Sequence, residues 1–71
     1  MSTLDQQIEI AERKFRAADW AQEDNWRLWQ DAINRGDTNA IFHYREESYR
    51  LANVRGDCES ALRKLEEERD A

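Results

Sequence analysis

His43 is the chain's only histidine and Cys58 its only cysteine, the residue types that a nucleophile–base couple needs. On one helix they would stand about four turns apart, ~22 Å at 1.5 Å per residue, far outside hydrogen-bond reach. His43 and Glu47 are spaced four residues apart and could touch one metal from a helix face. Two ligands do not make a metal site, and a surface i, i+4 pair accounts for both residues. Asp19 and Glu23 are likewise neighbours on a helix surface rather than a desolvated acid–base couple. Cys58 reads as a small core residue, and no glycine-rich loop could cradle a phosphate. These residues predict no catalytic site, no metal site and no cofactor, hence a non-enzymatic protein.

The elements that must position any other kind of site follow from punctuation. The chain of 71 residues has no proline and two glycines, both inside Arg-Gly-Asp: Arg35-Gly36-Asp37 and Arg55-Gly56-Asp57. Glycine and proline are the strongest local breakers, so there are few places to turn. Gly36-Asp37 lies near the midpoint between two long runs of helix formers. The expected fold is all-α, a single domain spanning 1–71, built as an antiparallel hairpin with helix one over about 3–35 and helix two over about 38–68. Ser2 or Thr3 can cap the first helix, with Asp5 and Gln6 in its first turn. Arg35 suits its carboxyl end and Gly36 is a left-handed stop. Asp37 or Thr38 caps the second helix. The acidic run Glu66-Glu67-Glu68 opposes that helix's dipole and is expected to fray.

At 100° per residue, Leu4, Ile8, Ala11, Phe15, Ala18, Trp26, Trp29 and Ile33 share one sector of helix one, with Gln22 and Asn25 as polar interruptions. Ile10, Ala17, Ala21, Leu28 and Ala32 flank it. Helix two carries Ile41, Tyr44, Ser48, Leu51, Arg55, Cys58, Leu62 and Leu65, alternating by three and four as a coiled-coil seam does. Folding about Gly36-Asp37 sets residue i beside residue 73 − i. Trp29 then meets Tyr44, Trp26 lies near Glu47 and Ser48, Phe15 faces Cys58 and Ile8 faces Leu65. A chain this small rarely obtains more than ~3–5 kcal/mol from one core, and no internal disulfide is available. The wide apolar sector of helix one therefore calls for a second copy, and a two-fold dimer forming a four-helix bundle is expected.

Gly56-Asp57 admits two readings. A continuous helix two, thinned or kinked at Gly56, lets Phe15 and Ala18 approach closely; a break gives three helices, with Asp57 as a new N-cap. The unbroken three-four phase through Val54, Cys58, Leu62 and Leu65 favours continuity. In the broken form, Tyr49-Arg50-Leu51-Ala52, Gly56-Asp57 and Ala61-Leu62 resemble the turn between paired helices of a tetratricopeptide repeat. That resemblance, over ~20 residues, would imply a peptide-binding module; the family's proline stop and 34-residue period are missing. Arg-Gly-Asp itself resembles the integrin-binding tripeptide, which needs an exposed extracellular loop. A helix stop followed by an N-cap explains the glycines and aspartates without it.

Net charge is −5, and nucleic-acid binding, which needs a basic face, is not expected. Acidic DNA mimicry needs carboxylates gathered on one side, whereas Arg13, Lys14 and Arg16 interrupt Glu9, Glu12 and Asp19. No apolar run is long enough for a membrane span. Asp5 and Glu9 spoil any signal-peptide pattern, and a lone cysteine fits the reducing cytoplasm.

Three aromatics sit outside the core pattern. Trp20 lies opposite the apolar sector among Arg13, Arg16, Glu23 and Arg27, where its ring could rest over Arg16. Phe42 and Tyr49 lie seven apart on the side away from the seam, near Arg45. Aromatics rimmed by charge suit protein-binding hot spots, and either a dimer contact or an external partner would use them. The expected function is a small regulator or inhibitor that binds one or more target proteins through Trp20, Arg16, Phe42, Tyr49 and Arg45. Small acidic proline-free chains of this style are common among phage-encoded host-modulating proteins. The alternative is a structural subunit of a larger helical assembly.

Overall fold

A computed structural model describes residues 3–71. Two helices, α1 (Leu4–Arg35) and α2 (Thr38–Asp70), pack against each other as a hairpin. Ser2, one of the two expected caps, lies outside the described residues. Thr3 is the N-cap of α1: its hydroxyl accepts from the Gln6 N–H at 3.2 Å while the Gln6 side chain accepts from the Thr3 N–H at 3.0 Å. This capping box satisfies two of the N–H groups that a helix start leaves unpaired.

The turn is built as the sequence predicts. Gly36 adopts φ 69° and ψ 25°, the left-handed region. Its N–H donates to the Ile33 carbonyl and the Asp37 N–H to the Ala32 carbonyl, both at 3.1 Å, which is the Schellman arrangement for closing a helix end. Asp37 then caps α2, its carboxylate accepting from the Ala40 N–H at 3.2 Å. A helix stop and a helix start thus share two residues, and the chain reverses at once.

The second Arg-Gly-Asp behaves differently. α2 runs without interruption through Gly56-Asp57, so Asp57 is not an N-cap, and the tetratricopeptide-like turn and the three-helix reading are both overturned. Close packing at Gly56 is corrected as well: a β-carbon there would meet nothing within 4 Å. The helix tolerates the glycine because its neighbours hold the seam. Nor does the acidic run fray, since α2 continues to Asp70, with Arg63 bonded back to Glu59 at 2.9 Å and Arg69 supplying a cation in the last turn.

The two helices meet along heptad seams. On α2 the seam from Ile41 to Leu65 is buried or half-buried at every predicted position. On α1 the contact line is Leu4, Ile8, Ala11, Phe15, Ala18, Gln22, Asn25, Trp29 and Ala32, again alternating by four and three. This corrects the expected core at two places. Trp26 is 56% exposed and Ile33 46% exposed. Each lies one residue past a seam position, about 100° round the helix, while Asn25 and Ala32 take the buried places. Asn25 is therefore no mere interruption: its amide donates to the Tyr44 backbone carbonyl at 3.0 Å, which satisfies a polar group that burial would otherwise penalise.

The polar positions of the α2 seam are matched in the same way. Arg55 donates to the Asp19 carboxylate at 3.0 Å, and its guanidinium lies 5.2 Å from the centroid of the Phe15 ring. Phe15 is thus covered by Arg55, rather than simply facing Cys58. The molecule measures 51 × 18 × 14 Å with a radius of gyration of 16.0 Å, against about 11 Å for a compact chain of this length. It is a rod two helices wide.

Candidate protein-binding surface

The rod has two outer edges and two broad sides, and the wheel positions decide what each carries. Trp20 lies about 180° from the α1 seam and is 68% exposed. Phe42 and Tyr49, seven residues apart, lie on the far edge of α2 and are 62% and 57% exposed. Because the seams face each other, Trp20 and the Phe42–Tyr49 pair stand on opposite outer edges. The five candidate binding residues, read from the sequence with Trp20 or the Phe42–Tyr49 pair as anchors, therefore form two surfaces.

At the first, Arg16 does not lie beneath the Trp20 ring as a cation–π partner. Its guanidinium ion-pairs with Glu12 at 3.6 Å, and the exposed Arg13–Glu9 pair at 2.6 Å lies one turn earlier. The indole consequently stands clear in a field of charged side chains. At the second, the Arg45 guanidinium reaches the Tyr49 hydroxyl, Nε donating at 3.5 Å, a long bond that still orients the phenol tip and favours the charged form of Arg45. Phe42 lies one turn before Arg45. The arrangement is apolar rings with a cation between them, suited to a partner surface that is apolar with carboxylates at its rim.

The expected His43–Glu47 pairing is replaced. Glu47 is held by Arg50, whose Nε donates at 3.1 Å and whose Nη2 makes a second contact. These charge-assisted bonds hold the Glu47 carboxyl below the usual carboxylate range, with the nearby His43 adding a smaller effect. His43 instead packs edge-on against Tyr44, ring centroids 5.1 Å apart. Cys58 is a free, half-buried thiol. Among the described residues no three His, Cys, Asp or Glu side chains converge as metal ligands do, and no helix is long and apolar enough to cross a membrane.

The two broad sides differ. One carries Trp26, set edge-on against Trp29 with centroids 6.0 Å apart, together with Ile33. The Trp29 indole N–H is buried without a hydrogen-bond partner. The other side holds two grooves between the helices. The first, of about 410 Å³, is lined by Ile10, Lys14, Asp57, Cys58, Ala61 and Leu65 among others. The second, of about 300 Å³, is lined by Ala21, Asp24, Leu28, His43, Glu47 and Leu51 among others. The flanking sector of Ile10, Ala17, Ala21 and Leu28, which the sequence marks as needing a further partner, lies on this side; the grooves themselves carry no signal in the sequence.

The chain matches no family model, no curated protein and no solved structure.

Proposed function

We propose that this chain is a non-enzymatic binding protein, a regulator or inhibitor that works as a homodimeric helical bundle and engages a target protein through its outer edges. The observation that supports this most is the exposure of Trp20, Phe42 and Tyr49 on edges that no other part of the hairpin covers. Large aromatics held clear of a core by charged neighbours lose hydration readily on docking, and such residues dominate binding energy where they occur in interfaces. The small core supports the dimer: its buried apolar side chains are Ile8, Ala11, Ala18, Ala32 and Leu51, three of them alanines. So little burial leaves a lone hairpin marginal.

Capture from a lysate of the native cells, with wild type and variants side by side, tests the reading. A protein retained by the wild type should be lost with Trp20→Ala, or with Phe42→Ala and Tyr49→Ala, at ~2 kcal/mol for a hot-spot residue, while melting temperature is unchanged. Equal loss of binding and of stability would assign these rings to a core and refute the proposal. A chain that is insoluble alone and rescued by a co-expressed partner would identify a structural subunit instead.

A further inference from the structure

The side of the rod that holds both grooves is apolar and open along much of its length. The chain exposes 5615 Å², against about 4,650 Å² for a compact monomer of this mass. The excess, about 1,000 Å², is comparable with the ~800 Å² that each partner contributes to a standard interface. The exposed residues Ile10, Leu28 and Val54 lie on this side.

The pattern along α1 supplies the orientation. Ile10, Lys14, Ala17, Ala21, Asp24 and Leu28 alternate by four and three, a second heptad stripe lying about 90° from the hairpin seam. About Asp19 the stripe is self-complementary when reversed: Ile10 answers Leu28, Lys14 answers Asp24, and Ala17 answers Ala21. Among the described residues Lys14 has no ion-pair partner, and Asp24 has only Arg27 at 3.9 Å. The Asp19–Arg55 bond sets Val54 close to the level of Asp19, so the same reversal on α2 centres near Val54 and exchanges the first groove for the second.

We infer that two copies pack through this side about a two-fold axis that passes at the level of Asp19 and Val54, α1 antiparallel to α1 and α2 antiparallel to α2. This rests on the dimer proposed above and specifies its interface. Each Ile10 enters the second groove of the other copy, each Leu28 the first, and the four Lys14 and Asp24 side chains form two crossed pairs. The alanines at the centre let the α1 helices approach closely. Trp20 points away from the interface on the outer edge of α1, so the dimer sets two Trp20 rings side by side, ~10 Å apart at ordinary helix spacing, as one bivalent aromatic surface.

Charge exchange tests this arrangement, with mass read by sedimentation equilibrium across micromolar concentrations. Lys14→Asp and Asp24→Lys should each raise the dimer dissociation constant by roughly tenfold or more, since each creates two like-charge contacts. The double variant K14D/D24K should recover wild-type affinity, and an equimolar mixture of the two single variants should form a heterodimer. Ile10→Asp should also dissociate the dimer, whereas Ile33→Asp, on the opposite side, should not. A dimer indifferent to all of these changes, or one whose double variant is not rescued, would overturn this interface while leaving dimerisation standing. A wild-type monomer throughout the range would overturn both.

Discussion

Gly56→Ala should stabilise the protein, and the amount follows from what surrounds the residue. Gly56 sits in the interior of a continuous helix on an exposed face, with no positive φ to preserve. A new β-carbon would touch nothing within 4 Å, so it neither clashes nor adds packing. What remains is the backbone term, ~0.8–1.0 kcal/mol per chain in favour of alanine in a helix interior. For a domain of this size that amounts to roughly a 4–8 °C rise in melting temperature. The assay is thermal melting by circular dichroism at one fixed protein concentration, with urea titration to show that the midpoint moves and the slope does not. Gly36→Ala is the opposing control. Its φ of 69° places alanine in the left-handed region, at a cost of ~1–2 kcal/mol, and the melting temperature should fall. An unchanged or lowered melting temperature for Gly56→Ala would refute the reasoning, because it would mean that the helix bends or is closely covered at that point.

Other substitutions test the polar seam. Asn25→Asp keeps the shape but sets a carboxylate against the Tyr44 carbonyl that the amide now serves. At neutral pH this should cost about 2–4 kcal/mol. Burial raises that carboxyl's folded pKa, so the variant should melt close to wild type below about pH 4 and lose stability as the pH rises through the raised value. Glu47 has the opposite sign: its folded pKa is depressed by Arg50, so its contribution is present above the ordinary carboxylate value and is lost as pH falls through the depressed one. In Arg50→Gln the Glu47 titration, followed by NMR, should move up toward the ordinary range.

The hairpin was legible because its punctuation is so sparse. Of two Gly-Asp steps only Gly36-Asp37 lies between two long helical runs, and the unbroken seam phase through Gly56 favours it as the place to reverse. The α2 seam was legible from spacing alone, even through Ser48 and Arg55. The α1 seam was followed correctly to Ala18 and again at Trp29. Beyond Ala18, apolar weight points to Trp26 and Ile33, whereas the geometric repeat continues through Gln22, Asn25, Trp29 and Ala32. Buried polar residues succeed there because partners across the seam satisfy them, and a partner such as the Tyr44 carbonyl is invisible until the helices are paired. The exposure of Trp20, Phe42 and Tyr49 was legible, since their phase lies far from either seam. Their separation onto two edges follows from the same phases, because each ring lies away from a seam that faces the other helix.

The turn at Gly36-Asp37 also sets the order in which the molecule can assemble. Contacts across the seam close loops whose length grows steadily away from the turn: Asn25 to Tyr44 spans 19 residues and Asp19 to Arg55 spans 36. Nearly doubling the loop adds ~0.6 kcal/mol of closure entropy, unless the inner contact has already formed. Each closed rung shortens the loop for the next, so the low-entropy route runs outward from the turn, with Asn25 among the early rungs and Ile8 and Leu65 among the last. The free ends of the helices are correspondingly the first to part, and the hairpin opens and closes as a zipper whose slider rests at Gly36.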